Sequence, residues 1–281
     1  MMHYPMADFW AGSTRDQRDA AYDNTRAVAD SAALIAARNA ASAGFRAAHT
    51  GHLDLTYAAG ERTEWDLFPA VAPNAPCLVF VHGGYWQRNR REDFCILAEG
   101  ALARGWSVGF PGYTLAPDAS LTQIVAEVHA ALSWLQEHGP AHGIAGRVVL
   151  SGWSAGGHLA AACVGHPAVA AGLAISGVFE LAPIRDTYLN DKLQLTEAEI
   201  QTLSPLRQPM VRKPMAVAYG SGELPELRRQ SRKFHAARAE AHVPGPLVPV
   251  AGADHFRILD ALRAPDSELL RAAAGLLEYP A

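Results

Sequence analysis

Apolar and polar positions along this chain follow two rhythms. From His52 to Tyr57 and from Thr63 to Phe68 they alternate, the period of a half-buried strand, and Gly60 between the runs predicts a hairpin. Residues 70–76, with Pro73, Asn74 and Pro76, read as a loop. Cys77–Val81 is instead a continuous apolar run of strand length. Such runs suit strands covered on both faces, the situation in parallel sheets. Ser107–Phe110, Arg147–Ser151, Leu173–Ser176, Met215–Tyr219 and Leu247–Val250 read as further strands. Helical periods lie between them. Glu92–Arg104 is stopped by Gly105. Leu121, Ile124, Val125, Val128, Leu132 and Leu135 recur behind Ser120 and Gln123, which predict a capping box, and Gly139-Pro140 ends the pattern. Ala155–Val164, Leu227–Ala241 and Glu268–Leu277 complete the series, and the Ala-rich stretch 14–48 predicts one or two helices.

Strands alternate with helices from residue 77 onward, which implies an α/β fold: a mostly parallel central sheet with helices on both faces. One domain is expected over 1–281, with a helical extension at 1–50. Residues 178–212 break the rhythm with weak helical patterning and the prolines Pro183, Pro205 and Pro209. A long excursion inside a compact fold is usually functional, and a small lid-like insertion is expected here.

Composition narrows the function. Hydrophobic residues make up 49% and charged residues 19%, a balance that excludes a disordered chain. The net charge of −4 argues against nucleic-acid or acidic-membrane partners. No apolar stretch is long enough to span a bilayer, and the N-terminal residues lack a basic start followed by an apolar run. Cys77, Cys95 and Cys163 are few, odd in number and widely spaced, so they read as buried thiols of a cytoplasmic protein rather than a disulfide or metal framework.

The sharpest chemical signal is Gly152-Trp153-Ser154-Ala155-Gly156, a GxSxG between an apolar strand and an apolar helix. A nucleophilic serine needs that setting: a tight turn lifts its Oγ clear of the sheet, and the helix N-terminus aims free N–H groups at developing charge. His82-Gly83-Gly84-Tyr85-Trp86 follows an earlier strand. In hydrolases such a loop supplies part of an oxyanion hole, here the N–H groups of Gly83 and Gly84, with Ala155 supplying the rest. A base and an orienting acid should follow in chain order. His255 sits in a loop after the strand ending at Val250, where active sites of such sheets collect. Among the 12 histidines, His129, His138, His142, His235 and His242 read as surface or core residues, and His158 as packing beneath the serine. Glu223 follows the strand ending at Tyr219 and is the expected acid; Glu226, expected to face solvent, and Asp254 are the alternatives. No HExxH, clustered His/Cys, GxGxxG or GxxxxGK pattern occurs, so no metal and no cofactor are expected.

His82–Trp86, the stretch Gly152–Leu159 and the run Glu223–Ser231 resemble the arylformamidases (kynurenine formamidases) of the α/β-hydrolase fold. The resemblance extends to Tyr22-Asp-Asn24, Tyr113-Thr-Leu-Ala-Pro117 and Asp254-His-Phe256. It implies that Ser154 is the nucleophile, His255 the base and Glu223 the acid, with an N-formyl aryl amide as substrate. The family usually carries Asp where Glu223 stands and His where Trp153 stands. The second difference changes the wall beside the nucleophile. Tyr85, Trp86 and Trp153 are the expected substrate-binding residues, with Arg185, Tyr188 and Asn190 of the insertion candidates for a substrate's polar end. Tyr22 and Asn24 are candidates to fold over the entrance.

The expected activity is therefore cofactor-free acyl transfer to water on a small aryl amide or ester, with a homodimer compatible. A general short-chain carboxylesterase is the alternative within the same chemistry. A non-catalytic binding protein of this fold is the alternative outside it, disfavoured because serine, acid and histidine are all present in order.

Overall fold

A computed structural model of the chain describes residues 10–279. The reading of the N-terminus as no secretory signal falls largely on residues 1–9 and lies outside them. Three helices come first, α1 (Arg15–Ala20), α2 (Asn24–Ala27) and α3 (Ser31–Ala48), one more than expected, because Val28 is extended and interrupts the run. The strands are β1 (His52–Thr56), β2 (Glu64–Phe68), β3 (Cys77–Val81), β4 (Ser107–Pro111), β5 (Val148–Trp153), β6 (Val169–Ile175), β7 (Met215–Gly220) and β8 (Leu247–Val250). They form one sheet in the order β1-β2-β4-β3-β5-β6-β7-β8. The β1–β2 and β2–β4 pairs are antiparallel and the others parallel. The α/β-hydrolase architecture expected from the sequence is the one observed.

The remaining helices are α4 (Ala98–Ala103), α5 (Leu121–His138), α6 (Ala155–Cys163), α7 (Ala182–Arg185), α8 (Asn190–Leu193), α9 (Glu197–Leu203), α10 (Pro225–Glu240) and α11 (Glu268–Leu276). Side-chain alternation on the central strands divides the core in two. Val79, Val81, Leu150 and Val217 face α5, α6 and α10. Leu78, Phe80, Val149 and Ala216 face α3, α4 and α11. Burial on both faces is why these strands read as unbroken apolar runs.

Three local expectations change. Residues Arg91–Leu97 wind as a 3₁₀ helix ahead of α4. Phe94, Cys95, Ile96 and Leu97 within it are all buried. At α5 the capping box is half made: Ser120 Oγ accepts the Gln123 N–H, while the Gln123 side chain turns to Glu127. β6 begins at Val169 rather than Leu173, its first half masked in the sequence by Ala and Gly.

The 178–212 excursion resolves into α7, α8, α9 and a 3₁₀ turn at Pro205–Arg207. Leu181, Ile184, Leu189 and Ile200 are fully buried. Gln230 Oε1 accepts the N–H groups of Phe179 and Glu180, and Gln87 Nε2 donates to the Leu189 carbonyl. The excursion is thus stitched both to α10 and to the loop after β3. Among the described residues no helix is long and apolar enough to cross a membrane.

Candidate active site

Ser154 sits at the junction of β5 and α6 with φ +59° and ψ −118°, a strained conformation for a side chain with a Cβ. Its N–H donates to the Ile175 carbonyl of β6 at 2.8 Å. The flanking glycines are sterically required: a Cβ on Gly152 would lie 2.1 Å from Gly156 O, and one on Gly156 would lie 2.0 Å from Val81 O. The turn forms only because β3, β5 and the start of α6 approach backbone to backbone.

The loop after β3 meets this turn. A Cβ on Gly83 would lie 2.4 Å from Trp153 O and 2.9 Å from Ser154 Cβ, so Gly83 lies against the serine itself. Backbone φ is positive at Gly84, Tyr85 and Trp86 in succession. Among the described residues the N–H groups of Gly83, Gly84 and Ala155 have no acceptor. Three backbone donors are therefore free around the nucleophile turn, the chemical requirement for stabilising an oxyanion.

His255 and Glu223 are brought together from loops after β8 and β7. His255 Nδ1 lies 3.1 Å from Glu223 Oε2. The other oxygen, Oε1, accepts the Gly220 N–H at 2.7 Å and the Ser176 hydroxyl at 2.5 Å. All three side chains are shielded from solvent, Ser154 at 2%, His255 at 3% and Glu223 at 4% exposure. Neither alternative acid contacts His255. Asp254 Oδ1 accepts the N–H groups of Phe256 and Arg257 and its carboxylate pairs with Arg257. Glu226 begins α10 as expected but does not face solvent. It is buried, pairs with Arg229, and accepts the Tyr22 hydroxyl and the Gln230 amide. Those partners lie far off in sequence or one helical turn on, and they turn the side chain inward.

Trp153, expected to line a substrate pocket, contacts the base. Its Nε1–H donates to the His255 carbonyl at 2.8 Å, and its ring lies 4.7 Å from the His255 ring. Phe94 and Phe256 pack on its other sides. The Tyr85 hydroxyl donates to the Tyr22 carbonyl at 2.6 Å and accepts the Asn24 amide at 2.9 Å. Burial pushes this phenol well above its ordinary pKa, so it stays a neutral donor. Trp86 is fully buried and meets His158 edge to face. Tyr22 and Asn24 are thus joined to the loop after β3, and Tyr22 also reaches Glu226 and Gln230 of α10. In the excursion, Arg185 pairs with Glu197 and Asn190 Oδ1 accepts the Leu195 N–H.

Two buried histidines support the site without joining it. His82 stacks between Tyr113 and Phe94, and its Nδ1 lies 2.9 Å from Gly83 O. Burial lowers its pKa to about 3, against the opposing pull of the Gly83 bond. His158 Nε2 lies 2.8 Å from Leu203 O, and burial lowers its pKa to about 4. Burial also pushes the Cys77 and Cys163 thiols up to about 12. Among the described residues, no group of three or more His, Cys, Asp or Glu side chains is arranged to hold a metal ion.

Sequence reasoning missed Ser176. Its one available signal was position: it follows the C-terminal end of a central strand, where the loops of such a sheet converge.

The chain is similar to several known proteins. The family profile described as BD-FAE matches residues 67–168, which span β3, the glycine loop and the Ser154 turn. The kynurenine formamidase of Danio rerio is 29% identical over 227 residues, covering 75% of this chain and 76% of that protein. A solved chain from Silicibacter sp. TM1040, labelled a candidate thioesterase, is 28% identical with a TM-score of 0.83 over 91% of this chain and 98% of its own. Esterase B of Lactobacillus rhamnosis superposes with a TM-score of 0.72 over 89% of this chain and 97% of its own at 20% identity, a likeness of fold.

Proposed function

We propose that this hydrolase of the α/β-hydrolase fold removes a formyl or other small acyl group from an aryl amide or ester through an acyl-enzyme on Ser154. His255 takes the proton of Ser154 Oγ as that oxygen attacks the carbonyl carbon. The N–H groups of Gly83, Gly84 and Ala155 receive the oxyanion. His255 then protonates the departing amine or alkoxide, and a water repeats the sequence on the acyl-enzyme. Glu223 holds the imidazole through Nδ1 and balances its positive charge. Trp153 fixes the backbone of the base from the nucleophile's own strand. The observation that carries the reading is the buried His255 Nδ1–Glu223 Oε2 contact at 3.1 Å, tied through the Trp153–His255 carbonyl bond to the residue preceding Ser154.

The formamide assignment is supported by the likeness to the Danio rerio kynurenine formamidase along three quarters of the chain. Ester cleavage is the second reading, supported by the shared fold with esterase B. Three free, buried thiols suit a reducing compartment, and we place the enzyme in the cytoplasm on that ground. Wild-type protein should be labelled stoichiometrically by a fluorophosphonate and Ser154→Ala should not; unlabelled wild type overturns the mechanism. Comparing kcat/KM for N-formyl-kynurenine and p-nitrophenyl acetate, with Ser154→Ala as blank, decides the substrate. Negligible formamide cleavage beside good ester turnover would remove the formamidase reading and leave the triad.

A further inference from the structure

Ser176 is the first residue beyond β6 and is fully buried. Its N–H donates to the Ala218 carbonyl at 2.7 Å, which pins it to the neighbouring strand β7. Its backbone φ is +52°, a region in which glycine is the undemanding residue and a side chain with a Cβ is strained. Strain retained at a buried position invites a search for what the side chain does. Here the answer is a single contact, the donation to Glu223 Oε1 at 2.5 Å.

That contact has a geometric consequence. A glutamate carries one more rotatable bond than an aspartate, so its carboxylate has more ways to miss the imidazole. With the Ser176 hydroxyl and the Gly220 N–H both on Oε1, the carboxylate plane is set and Oε2 is left to His255 Nδ1. The donors come from the ends of β6 and β7, two adjacent parallel strands, so the clamp is as rigid as the sheet.

We propose that Ser176 is a positioning residue of the hydrolytic site, acting through Glu223 by fixing which carboxylate oxygen faces His255. This rests on the reading of Ser154, His255 and Glu223 as nucleophile, base and acid.

The experiment is a double-mutant cycle of Ser176→Gly and Glu223→Gln, with Ser176→Ala alongside, read by p-nitrophenyl acetate kinetics and thermal unfolding. Glycine removes the hydroxyl and relieves the backbone, so Ser176→Gly should unfold no earlier than wild type. It should still lose about 10- to 100-fold in kcat, the loss of one charge-assisted hydrogen bond, with KM within about 3-fold. Ser176→Ala should lose as much activity as Ser176→Gly despite keeping the strain. In the Glu223→Gln background the Ser176→Gly change should cost less than about 2-fold, because its target is already disabled. In wild type at low pH, the downfield proton resonance of the His255 Nδ1–H should be present, and in Ser176→Gly it should move or broaden. The proposal is overturned if Ser176→Gly keeps kcat within about 2-fold, if activity falls only in step with unfolding temperature, or if the two changes multiply independently. If Glu223→Gln alone leaves turnover intact, the underlying triad assignment fails instead, and the proposal goes with it.

Discussion

Mild acid should destabilise this protein through His82 and His158, and the size of the effect follows from their surroundings. His82 Nδ1–H faces the Gly83 carbonyl and His158 Nε2–H faces the Leu203 carbonyl, so each ring is a neutral tautomer with one bond made. The other nitrogens, His82 Nε2 and His158 Nδ1, are buried with no hydrogen-bond partner among the described residues. Protonation would bury a charge and an unpaired N–H together. The folded pKa values are lowered from 6.5 to about 3 and about 4. An unfolded chain therefore takes up these protons first as pH falls. Their contribution is whole above pH 6.5 and is lost as pH drops toward 4. Each ring costs about 1.4 kcal/mol per pH unit in that window. By pH 4.5 the pair removes about 5 kcal/mol, enough to bring an ordinary domain close to unfolding. The assay is urea unfolding followed by tryptophan fluorescence from pH 7 to 4.5, on wild type and His158→Gln. Glutamine retains an N–H for Leu203 but does not titrate. The difference between the two stability curves should change by about 1.4 kcal/mol per pH unit between pH 6 and 4.5. Other histidines with lowered pKa values are common to both proteins and cancel. Parallel curves would refute the argument that His158 is held neutral by burial.

Further outcomes follow from the site. Glu223→Gln should lower kcat by about 10³- to 10⁴-fold with the fold intact, by the precedent of orienting acids in serine hydrolysis; if Glu226→Gln does this instead, the acid is misassigned. Trp153→Phe keeps a ring but leaves the His255 carbonyl buried and unpaired, so kcat should fall about 10-fold or more. Unchanged kcat with a raised KM would return Trp153 to a substrate-binding role. Gly83→Ala places a Cβ 2.4 Å from Trp153 O and should cost at least about 100-fold in turnover, whereas Gly275→Ala, with nothing within 4 Å, should leave activity unaltered. Equal activities in these two alanine variants would contradict the close approach of the glycine loop to the serine.

Much of the sheet was legible because its strands are covered on both faces. Cys77–Val81, buried at every position, matches the observed β3 residue for residue. The strand-to-helix setting of Ser154 was equally legible, since a GxSxG has meaning only between such elements. What escaped was set by partners remote in sequence. Ser176 and Glu223 are 47 residues apart and nothing local marks the pair. Glu226 looked like a solvent-facing helix start until Tyr22, 204 residues earlier, was seen beside it. The bond from Trp153 to the His255 carbonyl spans 102 residues and leaves no periodicity behind. The winding of Arg91–Leu97 as a 3₁₀ helix rather than the start of one α-helix left no mark in the pattern of apolar positions.

Tyr22 also sets the order in which the chain can be finished. Its ring is fully buried, yet Glu226, which accepts its hydroxyl, and Gln230, whose amide donates to it, lie 204 and 208 residues further on. At a synthesis rate of about 5–20 residues per second, Tyr22 waits about 10–40 s for them on the ribosome. Through that interval the loop after β3 has Asn24 and the Tyr22 carbonyl to bind Tyr85, but the far anchor on α10 does not yet exist. The loop after β3 therefore gains its far anchor only once α10 has been made, when a segment synthesised some two hundred residues earlier closes on it.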